Sequence, residues 1–313
     1  MRLLFMGTPR FAVPTLEACA AEGHEVAAVF TQPDRPKGRG GVLAQPPVKE
    51  AALRLGLPVH QPLRVRYPEV VEQIRSLAPR AVVVVGYGQI IPQSIIDIPP
   101  LGILNVHASL LPLYRGAAPV QWAVANGDPE TGITIMRIDA GLDTGGILLQ
   151  ESTSIGAEET ALELGARLAA TGSALLVKAL AGLDAGALQA TPQDNARATL
   201  APILKKEDGR IDWNLPAHAI YNRLRGFTPW PGAWTVFRGQ TLHVLSARPS
   251  LEPSAAAPGT LLPVKNRLRV ACGAGTVLEI AELQLEGRKR VAAAAFLNGQ
   301  RLHENERLGD PAN

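Results

Sequence analysis

Residues 81–85 read Ala-Val-Val-Val-Val, with β-branched side chains at every position from 82 to 85 and no polar residue among them. β-Branched residues restrict χ1 and favour extended backbone, and a strand with one wet face would alternate apolar and polar positions. An unbroken run therefore belongs to a strand buried on both faces, the situation of a parallel sheet covered by helices on each side. Three further strand candidates, 2–6, 26–31 and 102–107, are separated from it by stretches of helical length and spacing at 11–20, 48–55 and 68–77, with a longer amphipathic stretch at 160–183. Strand and helix in alternation predict an α/β domain with a doubly wound, mainly parallel sheet.

The pattern breaks near residue 184. Residues 185–206 lose periodicity and mix polar side chains with Pro192 and Pro202, which reads as a linker. Beyond it, short apolar runs at 234–237, 241–245, 268–271 and 276–280 are interrupted by Gly, Pro and Asn, the signature of a small β-barrel or sandwich. The expected organisation is thus a catalytic domain over 1–184, a linker over 185–206 and a second domain over 207–313. Two domains suit 313 residues, and 46% hydrophobic against 19% charged residues excludes a mainly disordered chain. No apolar run approaches the ~18 residues of a membrane span, so no membrane partner is expected. Cys19 and Cys272 are isolated and form no CxxC, which predicts neither a disulfide framework nor a metal site and suits the reducing cytoplasm. The net charge of +3 is unevenly spread, with the basic excess in the last third of the chain; such an asymmetry suits a polyanionic partner or an ordinary solvated surface.

Chemistry concentrates in three places. The opening strand runs into Gly7, Thr8 and Pro9, which lack the glycines of a dinucleotide fingerprint, and no Walker A sequence occurs, so a nicotinamide enzyme is disfavoured. Asn105 and His107 lie two apart near the carboxyl end of a strand and so project from one face of the sheet, at the end where ligands bind in open α/β sheets. After this pair comes a loop punctuated by Pro112 and Gly116, and thirty-six residues after His107 a second loop, Asp-Ala-Gly-Leu-Asp-Thr-Gly-Gly, brings Asp143 as a candidate carboxylate. Finally, the segment 31–41 sets Arg35, Lys37 and Arg39 against the single acid Asp34. The histidines at 24, 60, 218, 243 and 303 have no ligand-like spacing and read as surface or packing residues.

The segments NVHASLLPLYRGAAP and MRIDAGLDTGGILL resemble the folate-dependent formyltransferases, whose catalytic Asn, His and Asp match Asn105, His107 and Asp143. FMGTPRFA, FTQPDRPKGRG, KKEDGRIDW and FTPWPGAW extend the resemblance over nearly the whole chain, with Ala108 standing where the family often has Gly. The resemblance implies a Rossmann-like formyltransferase domain followed by a small OB-like β-barrel. It implies formyl transfer from 10-formyltetrahydrofolate, a co-substrate and not a bound cofactor, to the amine of initiator methionyl-tRNA. Such a reaction develops negative charge on the formyl oxygen, which calls for donors such as the Asn105 amide and the His107 imidazole, with Asp143 as partner of the imidazole or as base. Ser109, Leu110, Leu111 and Pro112 match the family's folate-contacting segment. Arg35, Lys37 and Arg39, and Lys205 with Lys206, are the implied tRNA contacts. The groups Arg223/Arg225, Arg267/Arg269 and Arg288–Lys289–Arg290 could extend a basic face, whereas Phe227, Trp230 and Trp234 read as packing residues. The implied enzyme is a cytoplasmic monomer. Three other readings stand beside it: an amine formyltransferase for sugar nucleotides, a single-domain relative acting on glycinamide ribonucleotide, and a tRNA-binding protein on an inactive transferase fold. The cationic segment 31–41 favours the tRNA acceptor over the sugar nucleotide.

Overall fold

The computed structural model describes residues 1–37 and 42–309. It divides into two compact units, one of residues 1–119, 130–154 and 164–202, the other of 120–129, 155–163 and 203 onward.

Among the described residues the first unit is built on a seven-stranded sheet. Its strands are β1 (Arg2–Gly7), β2 (Glu25–Phe30), β3 (Val59–His60), β4 (Ala81–Val85), β5 (Ile103–His107), β6 (Glu130–Arg137) and β7 (Ile147–Ser154), in the order β7-β6-β5-β4-β1-β2-β3. The pairs from β3 across to β5 are parallel, while β6 runs antiparallel to both β5 and β7. Strand β4, with its four valines, lies at the centre, every residue buried. One face carries Leu4, Met6, Val82, Val84 and Ile103 beneath helix Pro68–Ser76, whose Val70, Val71 and Ile74 point inward. On the opposite side, helix Ala161–Asp184 approaches so closely that a Cβ on Gly172 would meet Val106 Cγ1 at 2.7 Å. That helix is long and apolar enough to cross a membrane by composition; Leu164, Leu168, Leu175, Leu176 and Leu180 are buried in the protein. The doubly wound expectation holds, and the β6–β7 pair is an addition that the sequence reading did not single out.

The boundary at 185–206 falls differently. Residues up to Pro202 pack with the first unit: Thr191 exchanges backbone hydrogen bonds with Ile147 at 2.8 Å each way, and Leu200–Ala201 pairs in parallel with Arg115–Gly116. A segment without periodicity looked like a linker because its backbone groups are satisfied by distant loops, which leave no local pattern in sequence.

The second unit holds an antiparallel sheet of β8 (Ala233–Phe237), β9 (Gln240–Ser250), β10 (Leu261–Val264), β11 (Arg267–Ala271) and β12 (Val277–Leu285), in the order β8-β9-β12-β11-β10, with Val291–Ala292 paired to β12. Register shifts around Ser246 in β9 bend the sheet. The outer strands are joined through the chain's last described segment: Gly309 N donates to Val236 O at 2.9 Å, and Leu261 N donates to Glu306 O at 2.8 Å. Helix Ala217–Gly226 contributes Ile220 and Leu224 to the core, with Trp213, Leu242, Val270, Leu278 and Phe296. The expected basic face is much reduced. Arg225 is buried and donates to the carbonyls of Gly156 and Glu159; Arg267 and Arg269 pair with Glu252 and Glu279, and Arg290 with Glu282. Phe227 is buried with its ring edge-on to Trp122, as expected of a packing residue, whereas Trp230 is 56% exposed.

Candidate active site

Asn105 and His107 occupy alternate positions at the carboxyl end of β5, opposite Met136 and Thr134 of β6. The loop that follows is fixed from below by Thr134. Its hydroxyl donates to Ser109 O at 2.6 Å and accepts from Leu111 N at 3.1 Å, while Gln150 Nε2 donates to both Leu111 O and the same hydroxyl. Ser109 Oγ donates to Leu113 O at 2.6 Å, closing the turn. Ser109 and Leu111 are consequently buried, and of the four residues matched to folate contacts only Leu110 and Pro112 keep side-chain surface.

Asp143 lies in the loop between β6 and β7, ordered by Asp139, whose carboxylate accepts from Gly141 N at 3.0 Å and Thr144 Oγ1 at 2.7 Å. Its backbone has φ +51°, a left-handed conformation that Asp adopts more readily than most residues. The carboxylate is thereby turned toward β5. Oδ2 accepts from Gly116 N at 2.8 Å and lies 3.7 Å from His107 Nδ1; Oδ1 accepts from Asn105 Nδ2 at 3.4 Å. Asn105 and His107 from one strand and Asp143 from one loop thus form one cluster.

The chemistry of the partners fixes the roles. His107 Nε2 faces the Tyr114 carbonyl at 2.9 Å, and a carbonyl only accepts, so Nε2 carries a hydrogen and Nδ1 is the nitrogen presented to Asp143. With His107 5% and Asp143 17% exposed, that contact is only weakly screened by water. Asn105 Nδ2 spends one hydrogen on Asp143 and has a second to give. The arrangement offers donors and an acceptor-only carboxylate within a few ångströms, as transfer between an oxygen-bearing carbon and an amine requires.

The structure adds residues from the aperiodic segment 185–206. Thr199 Oγ1 accepts from Tyr114 N at 2.8 Å, and Gln193 and Asn195 receive the Arg115 guanidinium. The only local sign of them is a polar run between two prolines. Of the cationic residues proposed for nucleic acid, Arg35 is exposed on the short strand Arg35–Lys37, which pairs antiparallel with Val42–Ala44, and Lys37 lies in the same strand. Arg39 lies outside the described residues. Lys205 and Lys206 are exposed in the second unit, where Lys206 Nζ sits 5.9 Å from the Trp234 ring.

The formyl transferase family matches residues 1–180, and the formyl transferase C-terminal domain matches residues 203–301. A methionyl-tRNA formyltransferase of Solibacter usitatus (strain Ellin6076) is 64% identical over 310 residues, spanning 99% of both chains. One from Koribacter versatilis (strain Ellin345) is 55% identical over 310 residues with the same coverage. Among solved structures, WlaRD, a sugar 3N-formyl transferase crystallised in the presence of dTDP and 5-N-formyl-THF, matches with a TM-score of 0.67 at 17% identity, over 92% of this chain and 99% of its own. At that identity the likeness shows a shared fold. Matched in order by both domains, and along its whole length by relatives more than half identical to it, the chain belongs to the formyl transferase family.

Proposed function

We propose that the chain transfers the formyl group of 10-formyltetrahydrofolate to the amino group of methionine on initiator tRNA, producing N-formylmethionyl-tRNA for translation initiation. The observation that carries the reading is the Asp143 carboxylate meeting Asn105 and His107 at the end of β5, in a chain whose full-length relatives are methionyl-tRNA formyltransferases. The rim fits a flat, partly apolar donor: Leu110 and Pro112 keep accessible surface on a backbone held rigid by Thr134 and Gln150. When bound, 10-formyltetrahydrofolate supplies the electrophilic formyl carbon. Asn105 gives its second amide hydrogen to the formyl oxygen as negative charge grows there, and His107 is the other donor when its Nε2 hydrogen, held by the Tyr114 carbonyl in the free protein, turns to that oxygen. Asp143, an acceptor on both oxygens, takes the proton that the attacking nitrogen loses. The acceptor's amine gains the formyl carbon, the bond from that carbon to the folate nitrogen breaks, and tetrahydrofolate leaves with a proton on that nitrogen.

Arg35, Lys37, Arg39, Lys205 and Lys206 are the proposed phosphate contacts, which position the acceptor without reading its bases. The enzyme acts in the cytoplasm, where charged tRNA is made and used, and as a monomer, a state that sedimentation would check. An amino-sugar acceptor is the second reading, because WlaRD shares the fold. The test is a formyl-transfer assay on charged initiator methionyl-tRNA, charged elongator methionyl-tRNA and a 4-amino-sugar nucleotide, with wild type and His107→Ala. Transfer to the initiator alone, lost in the variant, is the expected result; transfer only to the sugar nucleotide overturns the acceptor.

A further inference from the structure

Arg115 is 7% exposed, yet its hydrogen-bond partners among the described residues are amide oxygens, not carboxylates. Nε and Nη2 donate to Gln193 Oε1 at 3.1 and 2.7 Å, and Nη2 donates to Asn195 Oδ1 at 2.8 Å. At the other end of the same amide, Gln193 Nε2 donates to the backbone carbonyls of Asp143 at 2.8 Å and Gly145 at 2.7 Å. The orientation of Gln193 is chemically determined twice over. A guanidinium only donates, so an oxygen must face it; carbonyls only accept, so the nitrogen must face them. No other natural side chain presents two acceptor sites and two donor hydrogens in this shape, Asn being one methylene shorter.

What this amide holds is the turn that carries the Asp143 carboxylate. Asp143 is in the left-handed region, a conformation that persists only where the surroundings over-determine it. The next residue of Arg115, Gly116, donates its N–H to that carboxylate, so Arg115 and Gln193 tie together the two backbone segments that meet there. We propose that Gln193 is a positioning residue for formyl transfer: it locks the 143–145 turn against Arg115 so that the Asp143 carboxylate stays aimed at Asn105 and His107. The inference rests on the reading of Asp143 as part of the reaction centre.

Gln193→Glu separates positioning from general stability. The new carboxylate still receives Arg115, now as an ion pair, but gives no hydrogen to the Asp143 and Gly145 carbonyls. Misplacement of a reacting group by about 1 Å costs about 100-fold in rate, so kcat measured well below Tm should fall by about 10- to 100-fold while KM for 10-formyltetrahydrofolate stays at the wild-type value. Gln193→Met, of similar length and with no polar end, should lose kcat as well and serves if the Glu variant does not fold. Asp143→Asn and the Gln193→Glu/Asp143→Asn pair complete a cycle: if Gln193 acts through Asp143, the double variant is no slower than Asp143→Asn alone. Wild-type kcat in both Gln193 variants, or losses that multiply in the double variant, would overturn the positioning role. A wild-type rate in Asp143→Asn would instead remove the reading on which it rests.

Discussion

Gly116→Ala is the substitution whose consequence the geometry specifies most closely. Gly116 has φ +121°, a backbone that L side chains rarely adopt, and a Cβ built there would lie 2.6 Å from the Ala201 carbonyl oxygen and 3.2 Å from its carbon. The obstacle is backbone, which cannot rotate aside. That same oxygen accepts from Ala117 N at 2.9 Å and Ala118 N at 3.2 Å, so moving it strains two hydrogen bonds, and Gly116 N itself serves Asp143. Unfavourable φ costs about 1–3 kcal/mol and a lost hydrogen bond about 1 kcal/mol; together the local opening of this pair of strands becomes easier by roughly 2–4 kcal/mol, or about 30- to 1,000-fold in hydrogen exchange. The assay is exchange measured at the amides of Arg115, Ala117 and Ala118, with Gly186→Ala as control. Gly186 also has positive φ, +68°, but nothing lies within 4 Å of its would-be Cβ, so its substitution tests backbone strain without collision. Unchanged protection at 115–118, or equal effects of the two variants on their own surroundings, would refute the collision argument.

His107→Ala and Asn105→Ala should each lower kcat by about 10²- to 10³-fold, the usual effect of removing one donor to a developing oxyanion, with Tm changed much less; single-turnover rates check this. Thr134→Val keeps the shape but deprives Ser109 O of its donor and leaves Leu111 N without an acceptor, so it should cost about 1–3 kcal/mol in urea unfolding and raise KM for the folate more than it lowers kcat. His24 and His60 are both held below the ordinary 6.5, mainly by burial and for His24 also by the N-terminal ammonium. The unfolded chain therefore takes up protons first as pH falls, and stability that is full above 6.5 declines below it. Tm should drop between about pH 7.5 and about pH 5.5, and less steeply in a His24→Asn/His60→Asn variant; an identical slope in the two proteins would count against it.

The parts of this fold legible in sequence are those whose cause is local. Val82 to Val85 need apolar neighbours on both faces wherever they lie, and the helices at 47–54, 68–76 and 161–184 advertise one apolar stripe each. Asn105 and His107 were legible for the same reason, since the pleat alone puts alternate residues on one face. Charge was a poorer guide. The count of arginines in the last third suggested a polyanion's surface, but Arg267 and Arg269 are drawn to Glu252 and Glu279, and Arg225 to carbonyl oxygens. A composition records how many charges a segment has, not which of them are already neutralised.

The brace around Asp143 was illegible for a different reason. Its contacts span 50 residues from Gln193 to Asp143, 78 from Arg115 to Gln193 and 85 from Tyr114 to Thr199, and a hydrogen bond between loops imposes no period on either. Gln193 and Thr199 therefore read as ordinary polar residues of a connector. Yet once the fold brings them to the catalytic loop, each satisfies backbone groups that would otherwise face one another or water: Thr199 takes the Tyr114 N–H, leaving the Tyr114 carbonyl for His107, and Gln193 takes the Asp143 and Gly145 carbonyls. The orientation of the imidazole and the aim of the carboxylate thus depend on a segment with no periodicity of its own. Cutting the chain at the apparent boundary near residue 184 should leave the sheet's core residues in place but remove both restraints, so a fragment of residues 1–184 that still folds would be expected to lose formyl transfer, while one ending after Pro202 would keep the Gln193 and Thr199 contacts within its own unit.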